Sequence, residues 1–412
     1  MTKIILVLFV VCCVVQISTQ QNQQVSPLTY DSRWCNNNQD ITNEYRTSIY
    51  KFILQLFKSI AVRSNLNFVF SPNSIWIIVA AIAEGADSLT QQKLFQLLSL
   101  PNDPCIRQAY YQLATTRVFP SNDVNIKNTR LCLIDDGATL SPTWYDLVTK
   151  NSLLEVARVP IKNNQEAAAT EIKTIMSSHV PGLNLSGNSV LLDKMDYNGL
   201  WTTAFADAVI EQAPFYNLQG EAIGAVDIMR VQRRARMGYN EKLRIKIIEF
   251  PVGSDERYRM LFGVIIGNED LTSIVAGVDD NHVFELIESL RPSLVPINVA
   301  IPRMVITSEI DMRVILKDLA VNELWTDPAV TRYISNPPAH PTTFVQHASL
   351  VLNTTGLEYA PPEPESAYNA RTGLHPILGR DFIADRPFVF GLFDAKTWTC
   401  LLASAITQPT YT

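Results

Sequence analysis

The sequence predicts an α+β fold, and three observations carry that prediction. Hydrophobic residues make up 47% of the 412 residues and charged residues only 18%, against about 25% charged in an average globular chain. This excludes intrinsic disorder and coiled coil, and leaves apolar mass for a sizeable core. Helical periodicity runs from Ile49 to Ile60, from Ser74 to Ala83 and from Asn164 to Ser177. From Ser189 onward the pattern turns to strands: Val190-Leu191-Leu192, Lys246 to Phe250, Tyr258 to Ile266, Ile297 to Ile301 and Phe388 to Phe393. Helices concentrated in the first half and strands in the second favour α+β over alternating βαβ units. The chain shows no internal repeat and no Gly/Ser linker.

The first element is an address rather than structure. Lys3 precedes an unbroken apolar run from Ile4 to Val15, followed by the polar Gln16, Ser18, Thr19, Gln20 and Gln21. That run is shorter than the roughly 20 residues that cross a bilayer. A positive end, a short apolar core and small residues after it describe a secretory signal peptide. The expected organisation is a signal peptide over residues 1–20, cleaved near Ser18 to Gln20, and one domain over 21–412. No other stretch is long and apolar enough to span a membrane, so the expected product is secreted and extracellular.

Loss of Cys12 and Cys13 with that peptide leaves Cys35, Cys105, Cys132 and Cys400. An oxidising compartment permits bridges. Cys132 and Cys400 sit in apolar, strand-like runs, where a free thiol behaves as a small hydrophobe. Cys35 and Cys105 lie in polar segments and form the favoured pair among the pairings open to four cysteines. Two sequons, Asn184-Leu185-Ser186 and Asn353-Thr354-Thr355, are candidate glycosylation sites.

Catalytic motifs are missing: there is no Gly-x-Ser-x-Gly, His-Glu-x-x-His, phosphate-binding glycine loop or Cys-x-x-Cys. The five histidines are scattered, and no cysteine has zinc-ligand spacing. The expectation is a non-enzyme without metal or cofactor. The formal net charge of −6 argues against polyanion binding by the molecule as a whole. One local exception is basic: Arg230, Arg233, Arg234, Arg236, Lys242, Arg244 and Lys246. It reads as a solvated strand face, with a polyanion site as the alternative. Pro337, Pro338, Pro341, Pro361, Pro362, Pro364 and Pro376 crowd the segment from Asn336 to Gly379, which includes a loop long enough to be functional.

Five spaced blocks then resemble one family. Asn67-Phe68-Val69-Phe70-Ser71-Pro72-Asn73-Ser74-Ile75, continuing to Glu84-Gly85-Ala86 and Thr90, resembles the second helix of serpins. Leu191 to Phe205 resembles a central-sheet strand and its turn, with Tyr197, Gly199, Trp201 and Phe205 in place. Phe215, Val226 and Met229, then Ile247-Ile248-Glu249-Phe250-Pro251, and finally Phe382-Ile383-Ala384-Asp385-Arg386-Pro387-Phe388 complete the series. The matches run from about Tyr45 to Pro409. The resemblance implies the serpin fold: three β-sheets, about nine helices and an exposed reactive-centre loop. Inhibitory members offer this loop as bait. A protease cleaves it, and its N-terminal half inserts as a new strand in the central sheet, so the native state is metastable.

The resemblance places the reactive-loop hinge at Gly356, and there the sequence departs from the family. Small residues are expected, but Leu357-Glu358-Tyr359-Ala360-Pro361-Pro362-Glu363-Pro364 follow. Proline cannot donate to a ladder and is confined to strand edges and bulges. Alternation puts Leu357, Tyr359, Pro361 and Glu363 on one face, and the resemblance implies that this face meets the core beneath the sheet, where the Glu363 carboxylate would be buried without a partner. Thr354 and Thr355 replace acidic residues common in the family, and a glycan on Asn353 adds a further obstruction. Insertion is therefore expected to be blocked.

The family's sheet-opening cluster maps to Ser71, Ser74, Asp193, Gln346 and His347. Asp193 replaces a typical asparagine. Spacing to Gly356 puts Gln346 at the usual histidine position, with His347 one residue later and facing oppositely unless a bulge intervenes. The candidate scissile region is Ala370-Arg371, with Arg380 as the other basic candidate. Two functions follow. The leading one is a secreted serpin-fold protein that does not trap proteases and acts by binding, storage or structural interaction with an extracellular protein or small ligand. The alternative is an inhibitor of serine or cysteine endopeptidases that works by loop cleavage and insertion.

Overall fold

Ile49, Phe52, Ile53, Leu56 and Ile60 recur on one face of the first helix and are all buried, as an amphipathic stripe requires. The second helix is different: from Pro72 to Ala83 every residue is buried. An all-round apolar helix belongs in the interior, and Pro72 at its first turn costs no hydrogen bond. The computed structural model describes residues 40–64, 67–115, 123–176, 180, 183–187, 189–205, 207–267, 271–336, 338–358 and 381–409. All of them fall in one compact unit, Cys35–Thr412.

Among the described residues there are nine α-helices: α1 Thr42–Arg63, α2 Pro72–Glu84, α3 Ser88–Leu97, α4 Pro104–Thr115, α5 Pro142–Lys150, α6 Gln165–Met176, α7 Leu271–Gly277, α8 Asp280–Ser289 and α9 Met312–Asp318. The central sheet contains β1 Val124–Asp135, β2 Glu155–Val159, β3 Ser189–Leu200, β4 Met304–Asp311, β5 Pro341–Leu352 and β6 Gly356–Glu358. Its order across is β4-β5-β6-β3-β1-β2. A seven-stranded sheet includes Ile245–Val252, Tyr258–Ile265, Phe388–Asp394 and Cys400–Ile406, and a four-stranded sheet is built around Ala222–Arg233 and Ile297–Pro302.

Helices and strands interleave more than the expected halves: β1 and β2 lie in the first half, while α7, α8 and α9 punctuate the second. Burial explains the central strands. Ser189 to Met195 and Pro341 to Leu350 are buried without interruption, so neither shows the alternation of a half-exposed strand. On one face Val190, Leu192 and Val345 pack against Ala168, Ile172 and Met176 of α6. On the other, Leu191 and Phe344 join the main core with α2. Pro341 opens β5, the strand position that tolerates proline.

Candidate functional site: a forked sheet, its hinge and an apolar cavity

β3 and β5 run parallel and pair directly from Ser189 with Pro341 to Met195 with Ala348. Beyond that point they part, and β6 lies in the fork, antiparallel to both. Gly356 and Leu357 pair with Leu200 and Gly199 of β3, while Leu357 and Glu358 pair with Leu352 and Val351 of β5. The first three hinge residues are therefore already seated in the central sheet. They precede the prolines and keep every N–H needed for a ladder. Tyr359, Ala360, Pro361, Pro362, Pro364, Ala370, Arg371 and Arg380 lie outside the described residues.

The turn into β6 is built by Asn353. Its side-chain oxygen accepts from the Thr355 amide (2.9 Å), the Thr355 hydroxyl (2.7 Å) and the Gly356 amide (3.0 Å). Trp201 and Phe205 hold the same turn: the Trp201 indole donates to the Asn353 carbonyl (3.0 Å), and the Trp201 and Phe205 amides donate to the carbonyls of Thr355 and Thr354. Gly356 has no alternative. A β-carbon there would lie 2.1 Å from the Gly199 carbonyl oxygen and 2.7 Å from the Leu200 α-carbon.

Beneath the seam, Ser71, Ser74, Asp193 and Gln346 meet in one buried network. The Ser71 amide donates to Gln346 Oε1 (2.9 Å), and Gln346 Nε2 donates to the Ser71 carbonyl (3.1 Å) and to Asp193 Oδ2. The Ser74 hydroxyl donates to Asp193 Oδ1 (2.7 Å), and that of Ser71 to the Leu401 carbonyl (2.9 Å). Burial drives the Asp193 pKa up to about 6, against the pull of the Ser74 and Gln346 hydrogen bonds and of Arg130. The β4–β5 register is unbroken from Met304 to Asp311, so no bulge rotates His347 inward. It faces the other side of the sheet, 3.3 Å from Glu309.

Part of the basic run is engaged within the fold. Arg230 pairs with Glu211. Arg233 donates to the carbonyls of Thr203 and Ala204 and stacks over Phe205. Arg236 bonds both carboxylate oxygens of Glu249 (3.0 and 3.1 Å), and Arg234 is exposed.

Cys105 is disulfide-bonded, and Cys35 lies outside the described residues. Cys132 and Cys400 are buried and free, and burial pushes the Cys132 thiol up to about 12. Asn184 is exposed and Asn353 half-buried. No helix among the described residues is long and apolar enough to cross a membrane.

Sequence reasoning missed one feature entirely. An apolar cavity of about 180 Å³ lies between α1, α7 and α8 and the seven-stranded sheet, lined by Ile53, Phe57, Ile274, Leu286, Leu261 and Ala403 among others. Gly263 and Gly391, on paired strands, also line it and withdraw side chains from the sheet face. Tyr50 lines it with its ring, while its hydroxyl donates to the Trp398 carbonyl. Its members come from three helices and four strands, each apolar for reasons of burial alone, so no local pattern announces it.

The architecture defines a mixed α+β fold with three main sheets and a hinge feeding the central one. The family model described as Serpin (serine protease inhibitor) matches residues 47–409, and the chain belongs to that family. It is 22% identical to an uncharacterised serpin-like protein of Thermococcus kodakarensis, over 88% of this chain and 85% of that one. It is also 22% identical to serine protease inhibitor 2 of Anopheles gambiae, over 88% and 91%. Among solved structures it is similar to mouse protein-Z dependent protease inhibitor (TM-score 0.76, 17% identity, 92% of this chain and 100% of that one). It is equally similar to human thyroxine-binding globulin complexed with its ligand (TM-score 0.76, 16% identity, 90% and 100%).

Proposed function

We propose that this chain is a secreted serpin that does not trap proteases and acts instead as a binding protein. The register of β6 is the observation that carries this reading. Continued in the same register, Pro361 falls between Met195 and Ala348, where the direct β3–β5 pairing begins. Pro362 then meets Lys194 and His347, and Pro364 meets Leu192 and Val345. Glu363 falls between Asp193 and Gln346 and shares their inward face. A proline-rich strand has to displace a complete ladder there while donating few bonds of its own. Glu363 breaks the Gln346–Asp193 bond and buries a second carboxylate beside a first that is already costly to ionise.

The cavity supports the binding half of the proposal. An enclosed apolar cavity of roughly 150 Å³ takes up benzene, and this partly open one has a similar volume. Its lining offers no charge, so the ligand class is a small neutral hydrocarbon-like molecule. A globulin of this fold that carries thyroxine gives precedent for serpins as carriers. The apolar leader at Ile4 to Val15, the disulfide at Cys105 and the two sequons support passage through the secretory route, with Cys35 the proposed partner of Cys105.

The test is incubation with trypsin-like, chymotrypsin-like and cysteine proteases. The expected result is loop cleavage without a detergent-resistant adduct; an adduct at near-stoichiometric yield overturns the proposal. The inhibitor reading has one observation in its favour, the seat that Gly356 to Glu358 already occupy in the fork.

A further inference from the structure

We propose that the seam between β3 and β5 is a proton-operated lock, held more tightly when the Asp193 carboxyl carries a proton than when it is ionised. This inference concerns the residues of the seam alone and holds whether or not the loop inserts. It starts from the way Gln346 is fixed. The Ser71 main chain engages both ends of its amide, donating to Oε1 at 2.9 Å and accepting from Nε2 at 3.1 Å. A flipped amide would lose both bonds, so Gln346 can offer Asp193 only a donor. Asp193 Oδ2 must therefore remain an acceptor. Ser74 is not constrained in that way, because a hydroxyl can donate or accept. A proton on Asp193 accordingly sits on Oδ1, bonded to Ser74 Oγ at 2.7 Å, and the Gln346 bond across the seam survives it.

The ionised form is the costly one. Asp193 has 0% exposure, and no cation among the described residues is bonded to it. Arg130, which faces it from β1, spends its guanidinium on the carbonyls of Leu153 and Ser152, both at 3.0 Å. The groups facing Asp193 are thus Ser74 and Ser71 from α2 and its cap, Gln346 from β5 and Arg130 from β1. Lys194 with Asp196, and His347 with Glu309, lie on the opposite face of the sheet. Parting the strands lets the carboxylate hydrate, and ionisation therefore favours the parted state. A carboxyl that titrates near 3.8 when hydrated and near 6 when buried makes opening about tenfold rarer at about pH 5 than at about pH 7.5. His347 stands opposite Lys194 across the same seam. The Asp193 contribution is read as a difference between variants.

The experiment is hydrogen–deuterium exchange of the amides from Thr343 to Ala348 in the full chain at about pH 5 and about pH 7.5, corrected for the intrinsic rates. Wild type, Asp193→Asn and Ser74→Ala are compared. The expected result is acid tightening about tenfold greater in wild type than in Asp193→Asn. In Ser74→Ala, which loses a donor to the carboxylate, the midpoint of the tightening moves to higher pH. Equal pH dependence in wild type and Asp193→Asn, or an unmoved midpoint in Ser74→Ala when the asparagine variant does not fold, overturns the proposal.

Discussion

Gly356 lies so close to Gly199 that a β-carbon on it would come within 2.1 Å of the Gly199 carbonyl oxygen. Both partners are backbone, so no rotamer change relieves the contact. Gly356→Ala is predicted to expel β6 from the fork. Faster exchange of the Leu357 and Glu358 amides is the measurement, accompanied by a stability loss of about 1–3 kcal/mol. Unchanged exchange would show that the fork is wider than described.

Asn353 is predicted to be a structural residue of the hinge independently of any glycan. Asn353→Ala removes the acceptor for three donors and is expected to cost about 1–3 kcal/mol and loosen the turn. Asn353→Asp also destroys the sequon but keeps an acceptor oxygen. It should restore most of that loss, as read by urea denaturation of the three proteins.

The cavity predicts uptake of a small apolar probe. Ala403→Leu projects three further carbons into a space of about 180 Å³ and is expected to weaken binding of a neutral fluorescent hydrocarbon by more than about tenfold, with the fold retained. Ile53→Ala enlarges the same space and costs about 2–4 kcal/mol of stability. Equal binding by wild type and Ala403→Leu would place the probe elsewhere.

Arg107 and Glu84 form a buried pair at 2.7 Å with side chains 4% and 2% exposed, and the Tyr111 hydroxyl donates to the same carboxylate oxygen. Arg107→Leu leaves that carboxylate without its cation and is predicted to cost about 3–5 kcal/mol. The double replacement Arg107→Leu with Glu84→Gln should recover a large part of it in a denaturation series.

Folding stability should also report the pH behaviour of Asp193. Its pKa is raised on folding, so the folded state binds the extra proton. The contribution is fully present below about pH 4 and lost as pH rises through about 6, worth about 3 kcal/mol. Asp193→Asn is predicted to flatten the pH dependence of the denaturation midpoint over that range.

How much of this was legible in the sequence depends on the range over which each feature is determined. The spacing of ten residues between Gln346 and Gly356, set against the family pattern, left open which of Gln346 and His347 faces inward, and only the unbroken β4–β5 register decides it. Ser71 and Ser74 were readable through the family resemblance of the block that starts the helix. The seating of Gly356 to Glu358 was not readable, because it depends on pairing with Gly199 and Leu200 more than 150 positions away. Asn353 was visible only as a sequon and Trp201 only as a match within a family block, since both act on the hinge through main-chain partners. The cavity was invisible for the same reason: Gly263 and Gly391 matter only once their strands are side by side.

Melting of intact and loop-nicked protein separates a loop that stays out of the central sheet from one that enters it. Limited proteolysis cuts the loop, and the midpoints of the two forms are then compared by calorimetry. The difference is expected to stay within about 4 °C, the equivalent of roughly 3 kcal/mol for a chain of this length, because Pro361, Pro362, Glu363 and Pro364 cannot follow β6 into the fork. A rise far beyond that, on the order of tens of degrees, would mean that the cut strand had entered the central sheet and would contradict that expectation.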